Sequence, residues 1–568
     1  MAIIVPTTAV WSGPAGADPF GTPLIPGNLL VSTSVYQDDP GITAGVTQLP
    51  TGCPNAGGSC STAVTSGDYP YVFNNDSVDG SFGVTSNILM DELTPYGFKL
   101  GSIEIPNSAQ PWVGSRDDQM VTSFSSKSEL GLTLSPDGKY VTFMGYNAPV
   151  GAVDVSNSNT PGAPDPTNPV GESVYRVVAR LGQDGRLNFT ETNAYSGNNG
   201  RNAIYNDAPG ADLYYTAGNA GNGANPEPQG VVEGAGAQIV SESDAPEAAQ
   251  NPGAPTPVGS FNVMQQLGFP KEKIAKDNNY RGLAEYNNVL YYTKGSGSNG
   301  VDTVYFLDTT GKACLPGGVG LPVPGAPLPT SSSLTFNANE SSTANPGLQP
   351  QNMCILKGFP TMSAKNANDS TNYPFGMFFA NPTTLYVADE GSGDNTFSTT
   401  TDGPQGEYTA AAASTTAGLE KWIFNATTQS WQPAYTLQNG LNLGQPYDVP
   451  GYPTGLNSGP GGTGGPWSPA TDGLRNLAGR VNADGTISLW AITSTVSGSG
   501  DQGADPNQLV NITDTLGATT LPAHESFVTL QGPRDRTVYR GVSLTPGTDL
   551  TPHPGCGLFC HFLSQRQP

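Results

Sequence analysis

The stretch YRGLAEYNNVLYY, from Tyr280 to Tyr292, contains a unit that recurs along this chain. It begins with an Arg-Gly step, continues with a run of apolar residues, and passes through a turn into a second apolar run. This is the pattern of two antiparallel strands joined by a tight turn. We count six versions, the last at Tyr539–Pro546 (YRGVSLTP). The repetition predicts six copies of one antiparallel β unit.

The composition favours strands and turns over helices. The 568 residues include 73 glycines and 51 prolines, and charged residues make up only 12% of the chain against a usual ~25%. Hydrophobic residues, at 36%, come in short clusters that can fill a β core. We therefore expect an ordered, all-β protein.

The strong negative charge restricts the classes of partner. The formal net charge is −24, and no run of basic residues interrupts it. Such a chain repels nucleic acid and anionic membrane surfaces, and no apolar stretch is long enough to insert into a membrane. The partners that we expect are copies of the same chain, or a protein or glycan outside the cell.

The six cysteines fall in neighbouring pairs, which favours disulfides and an oxidising compartment. The initial apolar run, AIIVP, is too short for a signal peptide, so we expect a secreted protein whose export signal is absent from this numbering. Free thiols in a cytosolic protein are the alternative. The predicted disulfides are Cys53–Cys60, Cys314–Cys354 and Cys556–Cys560.

The two ends of the chain complement each other. The segment up to Pro106 contains three strands, one short of a four-stranded sheet, whereas the strand at Tyr539–Pro546 has no partners after it. A circular array closes when one sheet takes strands from both ends of the chain. The sequence thus predicts a six-bladed β-propeller closed in this way, with seven blades as the alternative.

The predicted boundaries follow from the repeats. They are an N-terminal arm at 1–26, blade 1 at 27–106 with 539–547, blade 2 at 128–195, blade 3 at 201–270, blade 4 at 280–360, blade 5 at 374–440, blade 6 at 473–533, and a C-terminal tail at 548–568.

Two resemblances agree with this fold. The segment PFGMFFANPTTLYVADEG, 374–391, resembles the strand pair of six-bladed propellers of the strictosidine-synthase-like, gluconolactonase-like and NHL-repeat families. The wider pattern of DELTPYG, LTLSPDGKYVTFMGY, TLYVADEG and YRGVSLTP resembles secreted bacterial propeller proteins of unassigned function. The resemblance implies the fold but no activity, and the metal ligands of the gluconolactonase-like group have no counterpart in this sequence.

One repeated position is rich in arginine. In propellers, the loop that enters each innermost strand lies at the mouth of the central channel. Four of the six residues there are arginine, in a chain with only twelve. These side chains either clamp an anionic ligand by bidentate hydrogen bonds or tie neighbouring blades together. The six residues are Glu129, Arg201, Arg281, Phe375, Arg475 and Arg540.

Carboxylates near one strand end are further candidates. Asp389 and Glu390 follow the strand of VADEG and could act as acid and base, or hold Ca²⁺ together with Asp394. Acidic side chains in glycine-rich loops are also often simply solvated. We predict no other cofactor for this region.

The C-terminal tail combines two histidines with two cysteines. Their spacing would suit a four-ligand zinc clip or a stretched haem attachment motif, and a plain disulfide is the alternative. The residues are His553, Cys556, Cys560 and His561.

From these features we expect an extracellular, non-enzymatic binding or assembly module with long polar loops on a rigid ring. One alternative is an enzyme at the channel mouth, a hydrolase or lyase acting on an anionic small molecule or glycan, with Asp389 or Glu390 as acid or base. A lesser alternative is metal or haem binding through the tail.

Overall fold

Almost all regular structure in the chain is β-strand. The computed structural model describes residues 23–53, 60–114, 118–124, 128–163, 167–208, 210–219, 236–242, 259–261, 279–295, 300–315, 318–330, 353–362, 372–399 and 406–550. These residues form six antiparallel sheets arranged in a ring, which is a six-bladed β-propeller. The predicted fold class is therefore confirmed.

Each blade contains four principal strands, ordered from the channel outward. Blade 1 consists of β31 (Thr537–Leu544), β1 (Leu29–Val35), β4 (Val84–Leu93) and β5 (Lys99–Glu104); blade 2 of β7 (Thr133–Leu134), β8 (Tyr140–Tyr146), β9 (Arg176–Gly182) and β10 (Leu187–Thr192); blade 3 of β11 (Gly200–Asn206), β12 (Leu213–Gly218), β13 (Ala237–Ser241) and β14 (Gly259–Phe261); blade 4 of β15 (Leu283–Tyr286), β16 (Val289–Lys294), β17 (Thr303–Leu307) and β20 (Met353–Leu356); blade 5 of β21 (Pro374–Asn381), β22 (Thr384–Asp389), β25 (Gly418–Asn425) and β26 (Ser430–Leu437); and blade 6 of β27 (Ala470–Val481), β28 (Thr486–Val496), β29 (Leu509–Thr515) and β30 (Val528–Gln531).

Short elements decorate the blades. They are β6 (Thr122–Phe124), which pairs with β4; the pair β2 (Gln48–Leu49) and β3 (Ser61–Thr62); β18 (Cys314–Leu315) and β19 (Val319–Gly320), which extend blade 4; the pair β23 (Phe397–Ser398) and β24 (Glu407–Tyr408); the 3-10 helices Tyr71–Ser77 and Val155–Asn157; and helix α1 (Thr409–Ala413).

Strand β31 completes the first sheet and closes the ring. It pairs antiparallel with β1 from Leu29 opposite Leu544 to Val35 opposite Thr537. It also contacts β7 and β27, the innermost strands of the two neighbouring blades. The strand that is spare at the C-terminus thus supplies the one that is lacking at the N-terminus, as the sequence predicts.

Three innermost strands begin slightly before the predicted boundaries. Strands β31, β11 and β27 start at Thr537, Gly200 and Ala470, one to three residues earlier than the sequence pattern indicates. In each of these strands a register shift lies near the arginine, and strand pairing continues on the N-terminal side of that shift. The arginine therefore lies within the strand rather than in a preceding loop.

The innermost strands approach one another closely at a repeated step. In each blade a backbone carbonyl faces a glycine or asparagine of the preceding blade. A Cβ on Gly282 would lie 2.0 Å from the carbonyl oxygen of Phe375, and the side chain of Asn202 instead spans the gap and donates to the carbonyl of Arg281. The six pairs are Leu130 with Gly541, Arg201 with Gly131, Arg281 with Asn202, Phe375 with Gly282, Arg475 with Gly376, and Arg540 with Asn476.

The loops over blades 1 and 6 form an aromatic cap. Tyr36 packs against Tyr69, Phe73 and Phe124 with ring centroids 5.4–5.5 Å apart, and Tyr69 also contacts Tyr452. All five rings are buried. Contacts of this kind stabilise beyond the burial of their area, so the cap holds this part of the channel mouth in one conformation.

Two of the predicted disulfides are present, Cys53–Cys60 and Cys314–Cys354. The third, Cys556–Cys560, lies outside the described residues. In the part of the chain that the structure describes, no helix has the length and apolar character needed to cross a membrane.

Replacing the glycine at one close step should destabilise the ring. We expect Gly282→Ala to lower the free energy of unfolding by about 3 kcal/mol, because its methyl group would overlap the backbone of Phe375. Gly101→Ala is the matched control, since a Cβ there meets no atom within 4 Å, and it should change stability by less than about 0.5 kcal/mol. Urea unfolding of both variants checks this, and equal stabilities would contradict it.

Candidate functional site

Irregularities in the strand ladders set the residues at the repeated position. The register between β11 and β12 skips Arg201, and the register between β31 and β1 skips Arg540. Arg475 and Phe375 lie at corresponding register shifts. A bulge re-aims a side chain locally, and here it turns these residues out of the ordinary alternation of the sheet.

Glu129 does not occupy the position equivalent to the arginines. The carbonyl contact between neighbouring innermost strands involves Leu130, which has a left-handed φ of 63°. Glu129 precedes it and is buried, and its carboxylate accepts hydrogen bonds from the Tyr146 hydroxyl (2.6 Å) and from the side-chain amide of Asn199 (3.2 Å). The Glu129 carboxyl is therefore held in one orientation by hydrogen bonds.

Two of the four arginines donate hydrogen bonds to side chains of the propeller. Arg475 of blade 6 donates from Nε to the carboxylate of Glu390 in blade 5 at 3.1 Å, and both side chains are buried. Arg540 donates to the Ser34 hydroxyl at 3.0 Å and lies over the ring of Phe124. For Arg475 the contact joins neighbouring blades, as one of the two interpretations of the sequence expects.

The other two arginines lie together at a cavity. Arg201 donates to the carbonyl oxygen of Tyr280 at 2.6 Å, and Arg281 reaches from blade 4 to the Ser128 hydroxyl of the segment that enters blade 2, at 3.1 Å. Burial and the adjacent charge of Arg281 lower the pKa of Arg201 well below its usual value. Burial also lowers the pKa of Arg281. A further negative charge near this pair would favour the charged form of both guanidinium groups.

The cavity, which we call the mouth pocket, has a volume of about 460 Å³. Loops that follow the strands of blades 1, 2 and 3 supply most of its wall, and asparagine is its commonest residue type. The lining residues are Gly80, Ser81, Asn157, Thr167, Asn168, Pro169, Val170, Gly197, Asn198, Asn199, Arg201, Asn219 and Arg281.

Asn219 gives the mouth pocket an unused acceptor. Its side-chain nitrogen donates to Asn198 at 2.7 Å, which fixes the amide with its oxygen on the other side. The side chain is 4% exposed, and its Oδ1 atom has no hydrogen-bond donor among the described residues. A buried acceptor without a donor is costly, so this atom favours a ligand that carries a hydroxyl or amine.

Arg176 holds the wall of the mouth pocket in place. It is fully buried and donates to the carbonyl oxygens of Ser158 (2.8 Å) and Asn198 (2.9 Å), and to that of Val174 (2.7 Å). Burial lowers its pKa to about 10. One cation thus organises the loops that present Asn157 and Asn198 to the cavity.

The predicted carboxylates lie elsewhere. Asp389 is buried, and its two oxygens accept backbone N–H groups of Tyr373 (2.7 Å) and Gly391 (2.9 Å). Glu390 is the partner of Arg475. Asp394 is exposed and accepts from the backbone of Thr396 at 2.9 Å. None of these lines the mouth pocket.

The structure does not bring Asp389, Glu390 and Asp394 together as a Ca²⁺ site. Within the described ranges, one group of possible ligand atoms lies within coordinating distance of one another: Asp308, Cys314 and Cys354. Both sulfurs belong to a disulfide, and the Asp308 carboxylate accepts backbone N–H groups of its own loop. That group is therefore part of a structural loop, not a metal centre.

The tail candidates His553, Cys556, Cys560 and His561 lie outside the described residues. The zinc, haem and disulfide interpretations of this segment therefore stay predictions from the sequence.

Sequence reasoning missed Asp472 and the asparagines of the mouth pocket. Asp472 is buried beside Gly391, and its carboxylate accepts from the backbone of Gly393 at 2.7 Å. The run SGNNG at 196–200, just before Arg201, was the available signal for the asparagines. This run alone does not predict a pocket, because the rest of the wall comes from loops that are distant in sequence.

No protein-family model matches the sequence, and none of the curated proteins is significantly similar to it.

Buried carboxyls should make the protein more stable at mildly acidic pH. Burial raises the pKa of Asp389, Asp472 and Asp505 to about 7 each. Each contributes stability that is complete below the unfolded pKa near 3.8 and is lost as pH rises to about 7. We expect the melting temperature to fall between pH 5 and pH 8.

Between pH 5 and pH 8, the free energy of unfolding of Asp472→Asn should fall less than that of the wild type. The two falls should differ by up to about 3 kcal/mol, because the amide does not titrate. The control is Asp394→Asn, since hydrogen bonds from Thr396 lower the pKa of Asp394 and it titrates below this range. Parallel stability curves for the wild type and Asp472→Asn would contradict the assignment.

Proposed function

We propose that this protein is an extracellular binding module that holds an acidic saccharide in the mouth pocket. The observation that carries the proposal is the pairing of Arg201 and Arg281 on the wall of one polar cavity. The rigid blades keep the two guanidinium groups in place before a ligand arrives, which reduces the ordering cost of binding.

The charge of the pocket supports an anionic ligand. Its described lining contains two guanidinium groups and no carboxylate, within a chain of net charge −24. Glu129 and Glu390 act on these arginines electrostatically from behind the wall. A planar guanidinium matches the geometry of a carboxylate or sulfate better than a lysine would.

The remaining lining supports a ligand rich in hydroxyl groups. Asn219 offers a buried acceptor, and the wall holds Ser81, Thr167 and further asparagines. Amide and hydroxyl side chains can both donate and accept. A uronic acid or a sulfated sugar combines an anionic group with several hydroxyls, which suits both parts of the lining.

The composition of the lining favours binding over catalysis. Among the described residues of the pocket wall there is no carboxylate, imidazole, thiol or amine that could transfer a proton near neutral pH. Asp389 accepts two backbone hydrogen bonds, and Glu390 is engaged by Arg475. The enzyme alternative would need one of these groups to leave its partners.

An extracellular location is the remaining element of the proposal. The two disulfides support it, because such bonds persist in oxidising compartments.

Isothermal titration calorimetry with glucuronate and galacturonate tests the proposal, with glucose and galactose as neutral counterparts. At least one uronate should bind at least tenfold more tightly than its neutral sugar. Arg281→Ala should weaken that binding at least tenfold, since a hydrogen bond to a charged group contributes about 1.5–3 kcal/mol.

Arg186→Ala is the matched control, because it removes an exposed arginine that pairs with Asp184 away from the pocket. It should leave the affinity unchanged. Equal affinity for charged and neutral sugars, or an equal effect of the two substitutions, would contradict the assignment.

A further inference from the structure

A largely buried cluster of ionisable groups joins blades 5 and 6, neither of which contributes a described residue to the mouth pocket. Blade 5 contributes Tyr386, Lys421 and Tyr435, and blade 6 contributes Asp514 and Glu525. The Nζ atom of Lys421 lies 2.9 Å from Oδ2 of Asp514, and both side chains are fully buried. We call these five residues the interblade cluster.

The amine is held against the carboxyl group. Lys421 donates to Asp514, to the Tyr435 hydroxyl and to the carbonyl oxygen of Thr515, each at 2.9 Å. Three contacts of this kind fix the position of Nζ. Reacting groups that are fixed in contact gain a large part of the barrier reduction that an enzyme provides.

The carboxyl group of Asp514 is surrounded by hydrogen-bond donors. The Tyr435 hydroxyl donates to Oδ1 at 2.7 Å, and the Tyr386 hydroxyl donates to Oδ2. Burial would raise the pKa of Asp514, but hydrogen bonds from Glu525, the two tyrosines and Lys421 outweigh it and lower the pKa. Donors in this arrangement would stabilise negative charge that develops on the Asp514 oxygens, as in an oxyanion hole.

Glu525 supplies a proton next to these groups. Its Oε1 atom accepts from the backbone and hydroxyl of Thr515 at 2.9 and 3.0 Å. Its Oε2 atom is buried with no hydrogen-bond donor among the described residues, and its carboxyl lies close enough to that of Asp514 for the two to interact. Two carboxyls in contact cannot both ionise. Burial and the Asp514 charge raise the pKa of Glu525 to about 7, so it carries the shared proton in mildly acidic solution.

We propose that Lys421 and Asp514 condense into an amide bond that cross-links blade 5 to blade 6, with Glu525 as the catalytic acid and base. The reaction needs a nucleophile, a carboxyl electrophile, a proton carrier and oxyanion donors in a site shielded from water. The interblade cluster contains each of these groups in contact with the next.

The steps balance without a further reactant. Glu525 gives its proton to one oxygen of Asp514 and becomes a carboxylate, and Lys421 gives one proton to Glu525 and becomes a neutral amine. Nζ attacks Cγ of Asp514 and forms the C–N bond, while the tyrosine hydroxyls stabilise the oxyanion. The second proton of Nζ passes by way of Glu525 to the hydroxyl oxygen on Cγ, the C–O bond to that hydroxyl breaks as the carbonyl reforms, and the hydroxyl departs as water. Glu525 ends protonated, as it began.

Burial favours the product over the ion pair. An ammonium and a carboxylate lose their hydration inside the protein, and their mutual attraction does not always compensate. A neutral amide removes both charges from the interior. The displaced water leaves the site, so the reverse hydrolysis lacks a reactant there.

A second buried pair provides an internal comparison. Lys294 and Asp302 lie 2.6 Å apart within blade 4, also with almost no exposed side-chain surface. Burial raises the pKa of Asp302, and the nearby charges of Lys294 and Arg281 oppose that rise. We expect the cross-link at Lys421 and not at Lys294, because two tyrosine hydroxyls donate to the Asp514 carboxyl and would stabilise the oxyanion there.

Peptide mass spectrometry of the folded wild-type protein tests the proposal. After denaturation, reduction, alkylation and trypsin digestion, we expect a branched peptide that joins the segment with Lys421 to the segment with Asp514 and is one water molecule lighter than their sum. Trypsin should fail to cleave after Lys421. Lys421→Arg keeps the charge but removes the amine, so it should give two separate peptides.

Glu525→Gln tests the acid and base. It keeps the ion pair but cannot shuttle a proton, so the branched peptide should fall to less than a tenth of its wild-type yield. Cleavage after Lys421 with unlinked peptides in the folded wild type would overturn the proposal, as would a water loss at Lys294 and Asp302. A wild-type yield in Glu525→Gln would overturn the role of Glu525.

Discussion

The pairing of β31 with β1 is the constraint on which the rest of the molecule depends. Every innermost strand contacts two neighbours, so a ring of blades has no free boundary once this ladder has formed. The ladder also sets Gly541 against the carbonyl of Leu130, which fixes blade 2 relative to blade 1. The approach of Arg281 toward Ser128 across the mouth follows from that closure.

Four of the six carbonyl-bearing residues at the repeated close step are arginines, within a protein of net charge −24. In four innermost strands, a register shift near the repeated close step releases a side chain from the alternation of the sheet; these strands are β11, β21, β27 and β31. Arginine suits this place because its donors can reach carbonyls of a neighbouring blade. Arg201 and Arg281 border a cavity as well as donating to neighbouring residues, whereas Arg475 donates to Glu390 away from that cavity.

The sequence could predict the ring of blades because the patterns that indicate it are short or repeat along the chain. The apolar runs, the turn at Ser135–Lys139 and the unpaired strand at Tyr539–Pro546 each carry their own signal. The position of Glu129 was harder, because Leu130 adopts a left-handed backbone that pattern reading assigns to glycine or asparagine. The sequence pattern therefore selects Glu129 as the counterpart of the arginines, whereas in the structure the counterpart is Leu130.

The interblade cluster and the mouth pocket could not be predicted for a different reason. Lys421 lies in GLEKWIF, where a charged residue in a strand reads as solvent-facing, and Asp514 follows 93 residues later. Only the packing of blade 5 against blade 6 shows that both are buried. Asn219 is likewise part of a pocket only because it donates to Asn198 and lines the same cavity as Arg281. Those two residues lie outside the strands of its blade.

The shared first blade also determines the order in which the protein can be completed during synthesis. Ser34 and Val538 are hydrogen-bonded but lie 504 residues apart. At about 5–20 residues per second, strand β1 leaves the ribosome tens of seconds before its inner partner exists. During that interval its edge is an open template for pairing with other chains. Strand β31 thus protects the edge of strand β1.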